Sequence, residues 1–588
     1  MSQILLTVRR ALPLILFISW ILLSVSAKSA SLNYTISFPE PQTHYVDVQM
    51  EIKGWKAASL EIKMPVWAPG SYLVREFSRH VESVNARDAQ GNVLVVNKKT
   101  KNSWTILTPG VSHISISYKV YAYELSVRTS FVDEEHAYLN GTSIFMYVEQ
   151  LMKQSMDVKV IPYPGWKQIS VALDRVEPSN PWLLKAPDYD GLVDAPFEIG
   201  NHVIFNFTAA GIPHEVAMFG EGNYNVDRLK KDMARIVEEC TAIFGEHPCK
   251  NYLFIIHNLT AGGGGLEHMN STTLQTNRWS YASESSYTGF LSLVAHEYFH
   301  LWNVKRLRPA PLGMFNYSEE NYTDMLWLAE GFTAYYDDLI VHRCGFTSEA
   351  EYLSTLAGNI SYCMNIKGAA IQSLAESSLD AWIKYYRPGE NSPNATVSYY
   401  TKGGVVGALL NMEIMKATQG KKSLDDVFRE MYRLYAVKLN RGFTETEFVN
   451  MVKLVSGKNM DDFFRKYVHG TAPLPVADFA DVCGLDLVDL NEKQGQAWTG
   501  LTTSFSSGKL MVTGVERNSP AWQAGLNVND ELIALNRYRL ADDLPKFLAM
   551  QKPGDTVSLT ASRSGFIRVF DVQLAQSPAV KYSLERKE

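Results

Sequence analysis

His296-Glu297-Tyr298-Phe299-His300 is the stretch of this chain whose residue types and spacing most directly imply chemistry. It lies in a helical pattern whose apolar positions are Phe290, Leu291, Val294, Tyr298, Leu301 and Trp302. Histidines four apart project from one face of a helix, one turn apart, so two imidazole nitrogens can meet a single zinc ion. Glu297, between them, lies beside such an ion without ligating it and can take a proton from water, which makes it the candidate catalytic base. A buried helix with two structural histidines is the other reading of the same residues.

A catalytic zinc takes three protein ligands and keeps one position open. Downstream, Trp327-Leu328-Ala329-Glu330-Gly331-Phe332-Thr333-Ala334-Tyr335-Tyr336 is an apolar helical run with one interior carboxylate. A buried Glu is costly unless paired or metal-bound, so Glu330 is the candidate third ligand, against a Glu that faces solvent. No third histidine follows His300 at short spacing, which leaves two His plus one Glu. Asp337 and Asp338 either orient a ligating imidazole or form a solvated helix end.

Upstream, Gly262-Gly263-Gly264-Gly265 runs into Leu266-Glu267-His268. Glycine weakens a strand and lets another backbone approach closely, as strand addition of a peptide requires. A carboxylate at the end of such a strand would pair with a free α-amino group, and Glu267 is the candidate. A flexible glycine loop with a surface Glu is the alternative. In Ser398-Tyr399-Tyr400-Thr401-Lys402-Gly403-Gly404, which opens a helix, the Tyr400 hydroxyl could stabilise a developing oxyanion near the zinc. On residue type alone Tyr400 is a packing residue. Arg306 and Arg308, after the zinc helix, either touch substrate or make surface salt bridges.

These residues need a scaffold, and 588 residues suffice for about four domains. From 31 to about 207 the pattern is one of short alternating runs, such as His113 to Tyr121, broken by turn signals at Pro69-Gly70 and Asn140-Gly141. That predicts a β-sandwich. From about 209 strands and helices alternate, with an amphipathic helix over Val226 to Phe244 and a buried strand over Tyr252 to His257. Helical patterns dominate from about 322 to 468, a Pro-containing stretch around Ala472 to Val476 reads as a linker, and a β-rich module runs from about 494 to 574.

The N-terminus carries Arg9 and Arg10, an apolar run from Ala11 to Leu23, and small residues at Val25-Ser26-Ala27. This reads as a secretory signal over 1–27 cleaved after Ala27, rather than an uncleaved anchor, and implies a secreted or periplasmic protein with no stable membrane insertion. A net charge of −6 gives no reason to expect nucleic acid as a partner. Five cysteines are too few for a disulfide framework; Cys240 with Cys249, and Cys344 with Cys363, are close enough in sequence to pair, leaving Cys483 over.

Taken together, the chain resembles the glycyl aminopeptidase family of zinc metallopeptidases, a gluzincin type, and more distantly the aminopeptidase N and leukotriene hydrolase group. The likeness spans nearly the whole mature chain and includes Pro65-Val66-Trp67-Ala68-Pro69-Gly70-Ser71-Tyr72 and Asn303-Val304-Lys305-Arg306-Leu307-Arg308-Pro309. In the distant group a Gly-rich strand ending in Glu binds the substrate amine, and Gly264, Gly265, Glu267 and His268 are its counterpart here, with His268 where Asn is usual. Tyr400 matches the tyrosine that stabilises the oxyanion there. The 29 residues between His300 and Glu330 are more than in that group and are compatible with an inserted loop.

The resemblance implies a multidomain α+β fold: a sandwich (28–208), a thermolysin-like α/β catalytic domain (209–321) with a helical extension (322–480), and a C-terminal PDZ domain (490–580). The last rests on Asn518-Ser519-Pro520-Ala521-Trp522-Gln523-Ala524-Gly525-Leu526 and the residues to Ile533, and places Gly500 and Leu501 in a peptide-carboxylate loop. It implies one zinc ion per chain, peptide substrates with a free N-terminus, and removal of N-terminal Gly or Ala. Two other functions fit the motifs: a zinc endopeptidase that recruits substrates through the PDZ domain, and a non-catalytic peptide-binding protein.

Overall fold

The structure, a computed structural model, describes residues 30–491 and 495–587. The expected signal sequence and its cleavage point lie outside these residues. Among the described residues no helix is long and apolar enough to cross a membrane.

Alternation shapes the N-terminal part. Ser31–Ser37, Tyr45–Lys53 and His113–Tyr121 each bury every second residue and stand side by side in the middle of an eight-stranded sheet. A three-stranded and a four-stranded sheet accompany it, and the inward side chains, among them Ile36, Val48, Leu60, Ile116 and Phe197, form one core. Full burial of each such aliphatic side chain contributes roughly 1.5–3 kcal/mol, enough that a one-residue slip of register would be heavily penalised.

The catalytic part is built on five strands: β1 (Val203–Ala209), β2 (Ile212–Phe219), β3 (Tyr252–Leu259), β4 (Gly264–Glu267) and β5 (Ser271–Asn277), in spatial order β1-β2-β3-β5-β4. The central three run parallel, and β1 and β4 are antiparallel edges. Parallel neighbours need a crossover, and α1 (Val226–Phe244) provides it between β2 and β3, capped by the Asn225 side chain and ended by left-handed Gly245. The expected boundary at 208/209 falls inside β1, because Val203 to Ala209 pairs residue by residue with Met218 to Ile212.

Behind the sheet, α2 (Glu284–Phe299) packs on α1 and on α3 (Phe332–Arg343), and α3 packs on α4 (Thr401–Thr418). Leu474 and Val476 are buried in this same core, so the stretch expected to be a linker is packed, and Val476–Val482 is helical. All five cysteines are free, so neither suggested pairing is formed.

The C-terminal module has its own small core and a six-stranded sheet in which β6 (Leu501–Ser506), β7 (Lys509–Val515), β8 (Glu531–Leu535), β9 (Thr556–Arg563) and β10 (Phe566–Gln573) are joined in that order and the short strand Tyr538–Arg539 pairs with β8. The chain then returns: Tyr582–Arg586 pairs antiparallel with Leu485–Asp489, and Leu485 and Leu584 enter the catalytic core.

Candidate active site

α2 presents His296 and His300 from consecutive turns. Their Nε2 atoms approach one oxygen of Glu330, Oε2, at 3.7 and 3.3 Å. The opposite ring nitrogens are fixed: His300 Nδ1 donates to the Asn303 carbonyl at 2.8 Å, and His296 Nδ1 lies 2.8 Å from Asp337 Oδ2. A donor on Nδ1 leaves the Nε2 lone pair facing the gap between the rings and Glu330, which is the tautomer a metal ligand needs.

Glu330 belongs to a π-helical turn, Trp327–Gly331, a local widening that recurs at functional sites. The Asn303 side-chain amide donates to the Leu328 and Ala329 carbonyls and to Thr333 Oγ1, at 3.2, 3.1 and 3.1 Å. One residue thus holds His300 with its backbone and the turn bearing Glu330 with its side chain. Val304 follows at φ 127°, a conformation costing a β-branched residue on the order of 1–3 kcal/mol and sustained by the surrounding packing.

Two imidazole nitrogens and one carboxylate oxygen within 4.8 Å of one another, all on poorly exposed residues, fit a zinc ion. Glu267, Glu297 and His300 also converge within that distance. The first set fits better, since each of its histidines is held from behind, whereas Glu297 Oε2 is buried with no hydrogen-bond partner. Burial would raise the Glu330 pKa, but the charges of His300 and His296 override it and bring it to about 2. Burial dominates at Glu297 and pushes it up to about 7, against the pull of the two histidines. Asp338, expected either at the site or in solvent, is pushed up to about 7 by burial and by Asp337.

The glycine-rich edge strand passes directly over the base. A Cβ on Gly265 would lie 2.3 Å from Glu297 Oε1, so only glycine permits this approach. Glu267, at the end of β4, is 5 % exposed, and among the described residues its carboxylate has no hydrogen-bond or ion-pair partner. From the N-terminal domain Gly70, at φ 86°, closes on it; a Cβ there would lie 2.6 Å from Glu267 Oε1. Tyr400 is brought in by another glycine contact: a Cβ on Gly331 would meet the Gly403 Cα at 2.6 Å, so α4 comes close enough to set the Tyr400 ring 6.2 Å from that of His296. Burial raises the Tyr400 hydroxyl pKa well above its usual value and keeps it a donor.

These residues line one cleft of about 470 Å³ that takes in Gly264, Gly265, Glu267, Glu297, Glu330 and Tyr400 with both histidines. His268 is not brought to it. Its Nδ1 lies 3.2 Å from Asp194, which Lys305 also holds at 2.7 Å, so the ring is part of a buried ionic cluster behind the strand. Arg306 and Arg308 do not line the cleft either; Arg306 donates to the Leu301 carbonyl and to Cys249 Sγ. Several cleft residues escaped the sequence reading, among them Gly70 as a contact of Glu267, Arg128, Tyr385 and Tyr386. Only Gly70 had a signal, as part of Pro65 to Tyr72.

Gly500 and Leu501 lie in the C-terminal module. Gly500 has φ 78°, and a Cβ there would meet the Ser519 Cβ at 2.1 Å, while the Leu501 amide donates to Thr499 Oγ1 at 3.2 Å.

Residues 33–201 match the peptidase M61 N-terminal domain, and residues 289–406 match M61 glycyl aminopeptidase. No curated protein matches the chain. The crystal structure of an aminopeptidase N family protein from Idiomarina loihiensis is similar at 29% identity and a TM-score of 0.88, covering 95% of this chain and 98% of that one. More remote are an M1 zinc metallopeptidase from Deinococcus radiodurans (12% identity, TM-score 0.49, 76% and 96% covered) and native yeast LTA4 hydrolase (12%, 0.46, 77% and 70%). Two segments of the chain thus match the N-terminal and glycyl aminopeptidase domains of the M61 peptidases, and its class is that of a metallo-aminopeptidase.

Proposed function

We propose that the chain is a zinc-dependent aminopeptidase that removes small N-terminal residues, Gly before Ala, from peptides. The observation that carries the exopeptidase reading is Glu267: a buried, unpartnered carboxylate facing the cleft beside the ligand cluster. Burying such a charge is costly unless a partner arrives, and a substrate α-ammonium is that partner. The preference for small residues rests on the match to M61 glycyl aminopeptidase.

His296, His300 and Glu330 would hold the zinc, which supplies Lewis acidity to the scissile carbonyl and to water. Glu267 Oε accepts from the α-ammonium and sets which bond reaches the base. Glu297 takes the proton of the attacking water on its carboxylate and delivers it to the departing amine nitrogen. The Tyr400 hydroxyl donates to the carbonyl oxygen as negative charge builds there. Gly265 keeps Glu297 free of contact with a side chain, so that its oxygens remain available.

The testing experiment uses glycyl, alanyl and leucyl anilides and an N-acetylated peptide. Cleavage of the glycyl substrate, stopped by a chelator and absent on the blocked peptide, is the expected result. Cleavage of the blocked peptide would overturn the reading in favour of an endopeptidase. Two further elements belong to the proposal. Residues 1–27 direct secretion or periplasmic export, so the mature N-terminus should be Lys28 by Edman or mass analysis. The C-terminal module is a PDZ domain, a reading supported by edge strand β6 and left-handed Gly500.

A further inference from the structure

Resting on the exopeptidase reading, we propose that Arg128, backed by Arg75, binds the free carboxylate of a dipeptide substrate, so that the enzyme favours dipeptides over C-terminally blocked or longer peptides. Both arginines come from the N-terminal domain, and among the described residues neither makes an ion pair. Arg128 Nη2 donates to the Gly265 carbonyl at a long 3.4 Å, and Arg75 Nη2 to Ser71 Oγ at 3.0 Å. The Nε of each is buried without a partner. Two sparsely bonded guanidiniums near one another are an unfavourable arrangement in the free protein. Burial, and then the Arg128 charge, lower the Arg75 pKa, while Glu124 contributes only at a distance. An anion shared by the pair removes the mismatch, and a planar carboxylate suits the guanidinium fork.

Position selects which anion. Arg128 touches the carbonyl of Gly265, the residue that passes over Glu297, and Glu267 lies two residues farther along the same strand. Residues i and i+2 of a strand are roughly 7 Å apart, the length of two extended residues. With an ammonium on Glu267 and the scissile carbonyl beside Glu297, the carboxylate of the second residue reaches Arg128. Arg128 lines the cleft, whereas Arg75 lines a separate cavity of about 640 Å³, so a longer chain would have to pass Arg128 to leave the cleft on that side.

The arginine is held in place beforehand. The Arg128 amide donates to Ser126 Oγ at 3.2 Å, and Ser126 Oγ lies 2.6 Å from Thr129 Oγ1. The Val127 carbonyl accepts from the Tyr138 hydroxyl at 3.2 Å and from Asn140 Nδ2 at 3.3 Å. Arg75 ends the loop that carries Gly70, its amide bonded to the Val66 carbonyl at 2.7 Å. One domain therefore closes on both ends of the substrate, with Gly70 against the amine site and the arginines at the carboxylate site.

The test compares kcat/KM for glycylalanine, glycylalaninamide, glycylaspartic acid α-amide and N-acetylglycylalanine on the zinc-loaded full chain. Glycylalanine should exceed its amide by about 10-fold or more, mostly through KM. In Arg128→Gln that ratio should fall toward one, and Arg128→Lys should restore part of it. A separate readout is calorimetric binding of glycylalanine to Glu297→Gln protein, which should weaken when Arg128→Gln is added, with thermal melts confirming folding. Equal turnover of acid and amide by the parent enzyme would overturn the proposal even if the variants fail to fold. So would a preference for the aspartyl amide over glycylalanine, which would assign the arginines to an acidic side chain. If the acetylated dipeptide is cut as fast as the free one, it is the exopeptidase reading that fails.

Discussion

Two clusters in this protein contain two histidines and one glutamate, and they do opposite things with the same groups. At the cleft, His296 and His300 aim their Nε2 atoms at a single oxygen of Glu330 across 3.7 and 3.3 Å, while other partners hold their Nδ1 atoms. At the junction of the β-rich N-terminal domain and the catalytic sheet, Glu198 uses one oxygen for each ring: Oε1 lies 2.7 Å from His136 Nδ1 and Oε2 lies 2.9 Å from His257 Nε2. The first cluster converges and leaves room for an ion. The second is closed by short hydrogen bonds, and no metal-sized group of donors forms there among the described residues. What separates a metal centre from a structural ion cluster is whether the carboxylate is shared between the rings or divided between them.

The largest effect in breaking this contrast should come at the cleft. Glu297→Gln removes the base but none of the three ligands, so turnover should fall by about 10²–10⁴-fold with zinc content unchanged by atomic absorption. Normal turnover in that variant would remove Glu297 from its role. Glu198→Ala should do the reverse. Breaking a buried ionic cluster costs about 3–5 kcal/mol, so the chain should melt at a clearly lower temperature while the folded fraction keeps its zinc. Loss of zinc in proportion to Glu198 replacement would show that the second cluster also serves the metal.

Acid should sharpen the same comparison. Burial opposes ionisation of Glu198, but His136 and then His257 pull its pKa down to about 2, below the ordinary 4.5. A carboxyl with a depressed folded pKa stabilises the fold fully above the unfolded value and loses that contribution as pH falls through the folded one. The window is therefore about pH 4.5 down to about 2, and a shift of this size corresponds to roughly 3 kcal/mol. Denaturant midpoints of wild type and Glu198→Gln should differ by a constant amount above pH 4.5 and draw together toward pH 2. A gap that persists at pH 2.5 would mean that Glu198 acts through packing instead.

Only one of the two clusters was legible in the sequence. His296 and His300 are four apart on a helix, a spacing that fixes their common face, and Glu330 stands out as a carboxylate in an apolar run. Local periodicity also defined His113–Tyr121 and Val226–Phe244, whose bounds in the structure are those the pattern predicts. Glu198, by contrast, lies 62 residues from His136 and 59 from His257, and no local pattern joins them. Arg128 and Gly70 meet the edge strand only because the β-rich N-terminal domain folds back onto the catalytic sheet, a contact that periodicity does not encode. His268 shows the same limit from the other side: the strand motif put it beside substrate, and a distant Asp194 turns it away.

The smallest effect expected is at Asp337, and it tests how far the convergence of the first cluster depends on support from behind. Its carboxylate lies 2.8 Å from His296 Nδ1, and α3 carries it in a half-buried position beside Asp338. Asp337→Asn keeps the shape, but an amide can present either its oxygen or its nitrogen to the ring. Where it presents nitrogen, the His296 tautomer reverses and Nε2 carries the proton that a metal must displace. Loss of such a partner costs about 10–100-fold in metal affinity. Competition with a chelator should show that weakening in Asp337→Asn, with activity restored at high zinc because Glu297, Glu330 and Tyr400 stay in place. His300, held by the Asn303 carbonyl, has no such ambiguity, so an unchanged affinity in Asp337→Asn would mean that His300 and Glu330 alone set the grip on the ion.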